Sequence, residues 1–234
     1  MNRLFVTGTD TAVGKTVVSR ALLQSFIQTG HSAVGYKPIA RCAVKTPDGL
    51  RNKDAQVLQS ASSIDLPYQA INPLVFQEEE ICTHPAQIID YGLLTQGLTR
   101  LMQQASRVVV EGTGGWRSLM NDRQPLAGWV QQQQLPVVLV VGIKTGCINH
   151  ALLTAEAIVH DGLTLAGWVA NRINPGLAHY AEIVSVLSDR LNAPLLGELP
   201  YLPRAEQRDL TRYINPGALI GPSVHSASAH SAAV

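Results

Sequence analysis

The stretch Gly8-Thr9-Asp10-Thr11-Ala12-Val13-Gly14-Lys15-Thr16 is equipped for phosphate chemistry. It follows the apolar run Leu4-Phe5-Val6 and leads into Val17-Val18-Ser19-Arg20-Ala21-Leu22-Leu23, so the order is strand, glycine-bounded loop, helix. Such a loop turns backbone N–H groups and a helix N-terminus toward one point, where an anion is the natural occupant. Lys15 adds a point charge for outer phosphate oxygens, and the Thr16 hydroxyl is suited to hold Mg²⁺. Glycine allows backbone to approach a phosphate without an intervening Cβ. Five residues separate Gly8 from Gly14-Lys15-Thr16, one more than in the general phosphate-loop pattern.

Further polar residues stand at strand ends, where open α/β sheets bind their ligands. Glu111 closes Arg107-Val108-Val109-Val110 and precedes Gly112-Thr113-Gly114-Gly115. A carboxylate there is costly unless it meets a cation, which points to a metal ligand opposite Thr16. Asp54 opens a helix and is placed to complete an oxygen site with Thr16 and Glu111. Lys37 follows the second strand as a second phosphate-facing cation. Gly146-Cys147-Ile148-Asn149-His150 enters a helix after the most apolar strand, and its N–H groups suit a carboxylate. Asn171 has both donor and acceptor groups for reading a purine edge. His150 is given no catalytic part, and Trp116, Trp129 and Trp168 read as packing residues.

The elements that must position these groups alternate. Strands are expected at residues 4–6, 32–38, 107–111, 137–141, 163–170 and 194–199. Helices are expected at 14–28, 54–61, 90–105, 126–133, 149–160 and 178–191. Residues 41–52 read as polar with a Thr46-Pro47-Asp48-Gly49 turn, 62–86 as irregular, and 112–115 as a loop. The strands are short, Val/Leu-rich and not alternating, as when both faces are covered. This predicts an α/β fold: a single-domain, P-loop NTPase-like parallel sheet flanked by helices on both faces. The domain is expected over residues 1–216, with 217–234 a disordered tail.

Bulk composition excludes other classes. Apolar residues make up 46% of the 234 and charged residues 15%, enough to bury one sizeable core. A net charge of +1 gives no basic field for nucleic acid or a membrane surface. No apolar run reaches transmembrane length, and no signal peptide is evident. Cys42, Cys82 and Cys147 are not in metal-ligand spacing and read as buried or incidental thiols. The expectation is a cytoplasmic protein.

Several segments together resemble the dethiobiotin synthetases. They are the 6–16 stretch, Gly35-Tyr36-Lys37-Pro38, Thr46-Pro47-Asp48-Gly49-Leu50-Arg51-Asn52 with Asp54, and Val110-Glu111-Gly112-Thr113-Gly114-Gly115-Trp116. Further on come Gly146-Cys147-Ile148-Asn149-His150-Ala151, Gly167-Trp168-Val169-Ala170-Asn171 and Pro194-Leu195-Leu196-Gly197-Glu198-Leu199-Pro200. The five-residue spacing in the phosphate loop is the form that family has. Residues 112–122 and 171–180 look like the second, paralogous form found in enteric bacteria.

The resemblance implies an ATP-dependent cyclo-ligase of biotin synthesis, carboxylating and closing 7,8-diaminononanoate with CO₂. ATP would meet Thr11, Ala12, Val13, Gly14, Lys15, Thr16 and Val17, then Asp54, Glu111, Gly112, Thr113 and Gly114. Asn171, Arg172, Pro200, Tyr201 and Leu202 would lie on the adenine side. Thr16, Asp54 and Glu111 would hold Mg²⁺, and Lys15 and Lys37 would be catalytic. The acceptor would meet Thr11, Lys37 and Arg41, with its carboxylate at Cys147, Ile148 and Asn149 of the partner in a homodimer. Two positions depart from the best-studied members, which have Glu at Ala12 and Ser-Gly at Arg41-Cys42. An arginine can reach a carboxylate or phosphate, or crowd the diamine. Other readings are the same ATP chemistry on a different acceptor, or a regulatory nucleotide-binding ATPase.

Overall fold

The computed structural model describes residues 1–83 and 89–220. In chain order the elements are β1 (Arg3–Gly8), α1 (Lys15–Gln28), β2 (Ala33–Tyr36), β3 (Ile39–Ala40), β4 (Val44–Thr46), β5 (Gly49–Arg51), α2 (Lys53–Ala61), α3 (Tyr68–Ile71) and β6 (Leu74–Val75). Then follow α4 (Tyr91–Gln104), β7 (Arg107–Gly115), α5 (Ala127–Gln132), β8 (Val137–Gly142), α6 (Cys147–His160), β9 (Leu165–Asn171), α7 (Tyr180–Arg190), β10 (Leu195–Leu199) and α8 (Gly217–Ile220).

Six strands form a parallel sheet in the order β10-β9-β8-β1-β7-β2. Every residue of β8 is buried, which is why its Val137-Val138-Leu139-Val140-Val141 run does not alternate. Helix α1 buries Val18, Ala21, Leu22, Leu23 and Phe26. Helix α4 is capped by Asp90, whose carboxylate accepts the N–H groups of Gly92 and Leu93 at 2.8 and 3.1 Å. The β10 edge is covered from the C-terminal side, where Asn215 N–H donates to Leu196 O at 2.7 Å and Gly197 bridges Ile214. Only glycine fits at 197: a Cβ would meet Tyr213 O at 2.0 Å.

The α/β expectation and the principal strands and helices hold, and the three tryptophans are buried. Three local expectations do not, and a fourth, the turn at 46–49, holds within a hairpin. Strand β7 continues through the expected loop at 112–115, because after a bulge Gly8 of β1 pairs with Gly115. The polar 41–52 stretch is a hairpin of β4 and β5 around its turn. The irregular 62–86 stretch contains α3, β6 and a 3₁₀ turn at Ile81–Thr83. The expected tail begins with α8, which buries Leu219; the rest of it, 221–234, lies outside the described residues, as do 84–86 of the irregular stretch. Of the cysteines, Cys147 is buried but Cys42 is exposed. Among the described residues no helix is long and apolar enough to cross a membrane.

The chain leaving β7 is tied to the end of α6. Trp116 Nε1 donates to Asp161 Oδ2 at 2.8 Å, and Arg117 holds both oxygens of that carboxylate at 2.6 and 2.8 Å. Burial disfavours the charged carboxylate, but these donors outweigh it and hold its pKa below the ordinary value. A lowered folded-state pKa contributes stability above the unfolded pKa and loses it as pH falls through the folded one. Asp161→Asn should therefore cost about 1–2 kcal/mol at neutral pH. In urea unfolding the gap to wild type should close as pH drops below the ordinary aspartate range; a gap independent of pH would contradict this.

Candidate active site

The carboxyl ends of β1, β2 and β7 open onto one cavity of about 410 Å³, within the size range of small-molecule sites. Sheet register brings its key side chains together. Val6 of β1 lies opposite Glu111, and Tyr36 of β2 lies opposite Val110. Lys37, one residue beyond Tyr36, thereby meets Glu111. Its Nζ donates to Glu111 Oε1 at 2.5 Å and to Asp54 Oδ2 at 3.2 Å. The Thr16 hydroxyl donates to the same Glu111 oxygen at 2.8 Å. Glu111 is fully buried, and Lys37 is 3% exposed.

A buried polar chain holds this group in place. Asn52 caps α2, accepting Ala55 N–H at 3.0 Å, and so fixes Asp54 in the first turn. Asn52 N–H donates to the Tyr68 hydroxyl, which donates to Asn72 Oδ1, both at 2.8 Å. The Asn72 amide then donates to the Lys37 carbonyl at 2.7 Å. The backbone on either side of the Lys37–Asp54 pair is thus connected through α3.

The phosphate loop closes the other side. Gly14 has φ 94° and precedes α1, which has no side-chain cap; its first N–H groups are left for a ligand. A Cβ on Gly14 would stand 2.0 Å from Asn171 Nδ2, which donates to Val13 O at 2.8 Å. Lys15 Nζ curls back to Asp10 O at 3.0 Å, while Asp10 Oδ2 pairs with Lys144 at 2.9 Å. Ala12 is exposed with φ 59°, a backbone strained for alanine.

The electrostatics follow from burial and pairing. Burial, then the neighbouring Lys37 charge, pulls the Lys15 ammonium down to about 8. Burial also works against charged Lys37, but Glu111 and Asp54 outweigh it and hold its pKa above the ordinary value. Asp54 is opposed by burial yet lowered by Lys37.

Three oxygen donors of a hard-cation type therefore converge: Thr16, Asp54 and Glu111. Among the described residues Glu111 Oε2 is buried without a hydrogen-bond partner, an orphan that a cation would satisfy. Among the described residues no cluster of three or more His, Cys, Asp or Glu suits a metal. Magnesium does not need one, because phosphate oxygens and water complete its shell.

A family model described as an AAA domain matches residues 2–208. The ATP-dependent dethiobiotin synthetase BioD 2 of Escherichia coli (strain K12) is 64% identical over 92% of this chain and 93% of its own length. The chain belongs to the dethiobiotin synthetase family. The BioD 2 protein of Yersinia pestis is 59% identical over 94% of this chain and all of its own length. The solved MinD cell division protein of Aquifex aeolicus matches with a TM-score of 0.55 over 96% of this chain and 99% of its own, at 13% identity, which establishes the P-loop NTPase-like fold alone.

In this dethiobiotin synthetase family member the cavity wall includes the expected Thr11, Ala12, Gly14, Lys15, Thr16, Val17, Lys37, Arg41, Asp54, Glu111, Thr113 and Gly114. Gly112 adds its carbonyl 3.4 Å from Lys37 Nζ, and Val13 is buried beneath the loop. Asn171 and Arg172 stand at the end of β9, with Pro200, exposed Tyr201 and Leu202 beyond β10; none of them lines this cavity. Arg172 lies over the Tyr180 ring at 4.9 Å. Cys147, Ile148 and Asn149 form the first turn of α6 and also lie outside this wall; Cys147 is buried. Sequence reasoning missed Cys42, Asn52 and Lys53 in the wall, and the Asp10–Lys144 pair. Asn52 had a readable signal: a cap residue directly before a helix.

Glu111→Gln tests the centre of this arrangement. It leaves Lys37 with Asp54 alone and should cost about 3 kcal/mol by urea unfolding, the lower end for breaking a buried pair. Unchanged stability would contradict the arrangement.

Proposed function

We propose that this chain is an ATP- and magnesium-dependent cyclo-ligase that joins 7,8-diaminononanoate and CO₂ into dethiobiotin in biotin synthesis. The observation carrying this reading is near full-length 64% identity to a protein named for that activity, together with a phosphate loop facing two buried lysines and three oxygen donors.

CO₂ adds to one amine of the acceptor, giving a carbamate. A carbamate oxygen attacks the γ-phosphorus of ATP, and ADP leaves with the electron pair of the broken bond. The second amine then attacks the carbamate carbon, phosphate leaves, and the cyclic urea closes. Phosphoryl transfer asks the protein for positioning and charge neutralisation more than for a nucleophile. Lys15 and Lys37 carry that task, and the N–H groups opening α1 hold the phosphates. Thr16, Asp54 and Glu111 would hold magnesium, which neutralises phosphate charge when bound. Thr11, in the phosphate loop, faces ATP on one side and the amines of the acceptor on the other. Asn171, Arg172 and residues 200–202 form the adenine side; the second N–H and the carbonyl of the Asn171 amide remain for a base edge.

The working unit in this reading is a cytoplasmic homodimer. The acceptor carboxylate meets the first turn of the partner's α6, whose N–H groups have no side-chain cap. Exposed Leu153 and Val159 on the same helix give such a contact apolar surface.

ADP and phosphate release should require both the diamine and bicarbonate. Lys37→Ala should lower kcat by about 100-fold or more through lost charge stabilisation. ATP hydrolysis indifferent to the diamine would remove the acceptor from this reading, and near wild-type turnover in Lys37→Ala would remove Lys37 from the chemistry.

A further inference from the structure

Arg41 stands in the cavity wall with its charge unanswered. Its side chain is only 15% exposed, and its one carboxylate neighbour among the described residues, Glu80, is 3.8 Å away and 66% exposed. A solvated partner at that distance offsets little of the cost of burying a cation. What holds the guanidinium is neutral: Nη2 donates to the Thr11 hydroxyl and Nη1 to Glu79 O, both at 3.0 Å. The main chain is fixed as well, since the Asn52 amide donates to Arg41 O at 2.8 Å. Of five guanidinium N–H groups, these contacts use two.

Lys15 shows the same deficit. Among the described residues it has no ion-pair partner, only the carbonyl of Asp10. Lys37, by contrast, takes both carboxylates of the cavity. Two cations on one wall are therefore left for an anion brought by a ligand.

We propose that Arg41 is a third phosphate-facing cation, supplied in cis, that neutralises the γ-phosphoryl group during its transfer. This rests on the function proposed above. The transferring phosphoryl is favoured over the acceptor carboxylate because the residue orienting Arg41, Thr11, belongs to the phosphate loop. Arg41 Nη2 also passes 3.3 Å from the position a Cβ on Gly114 would take, beside the Thr113 and Gly114 wall. As the carbamate oxygen bonds to γ-phosphorus, the bond to the β-phosphate oxygen breaks and its electron pair leaves with ADP. Arg41 exchanges no proton; its free N–H groups meet equatorial oxygens, as arginine does in other phosphoryl transfers.

The test compares Arg41→Ala and Arg41→Lys with wild type, each checked for an unchanged melting temperature. Binding of ADP and of ADP with fluoroaluminate, a mimic of the transferring phosphoryl, is measured with magnesium present. Arg41→Ala should keep ADP affinity within about twofold while losing roughly 30–100-fold of the tightening that fluoroaluminate brings. Arg41→Lys, or added guanidinium ion, should restore part of it. Undiminished fluoroaluminate tightening in Arg41→Ala overturns the proposal, as does an effect confined to the KM for the diamine, which would make Arg41 a reader of the acceptor carboxylate. Diamine-dependent turnover of the wild type is measured separately. Its absence would defeat the acceptor assignment, while the fluoroaluminate comparison still decides Arg41.

Discussion

Burial of the Glu111 carboxylate at the end of β7 governs the chemistry of this cavity. With no exposure, it is tolerated because Lys37 stands 2.5 Å from one oxygen and Thr16 donates to the same atom. Such a pair adds little net stability, since desolvation consumes most of the attraction. Its value lies in holding a cation and an oxygen site ready in a low-dielectric place. The other carboxylate oxygen, without a partner among the described residues, marks where that readiness is directed.

The rest of the fold serves to keep those atoms still. Parallel register between β1, β7 and β2 sets Glu111 and Lys37 side by side before any side chain chooses a rotamer. The Asn52–Tyr68–Asn72 chain then fixes the backbone beside Asp54 and Lys37. Asn171 pins the phosphate loop from β9. Preorganisation of this kind lets fixed charges meet a transferring phosphoryl group without reorganising at the moment of reaction.

Much of this was legible in the sequence because its signals are local. The phosphate loop is contiguous, Glu111 closes an unbroken valine run, and Asp54 opens a helix after a capping residue. What escaped depends on distant partners. Nothing near Tyr68 announces that its hydroxyl links Asn52 to Asn72, residues 16 and 4 positions away. Lys144 meets Asp10 across 134 positions. The glycines at 112–115 read as a loop because propensity favours one, yet pairing of Gly115 with Gly8 carries β7 through them, around a bulge where Gly114 has φ 74°. Asn171 read as a base-edge group; here its amide is committed in part to Val13, a use visible only once β9 lies beside the loop.

The central claim is that this cavity joins ATP cleavage to carboxylation through one shared oxygen. Oxygen-18-labelled bicarbonate, supplied with the diamine and unlabelled ATP, tests it directly by mass spectrometry of the released phosphate. Attack by a carbamate oxygen followed by ring closure predicts one labelled oxygen per phosphate at early times. Phosphate carrying no label, its new oxygen drawn from water, would contradict the account.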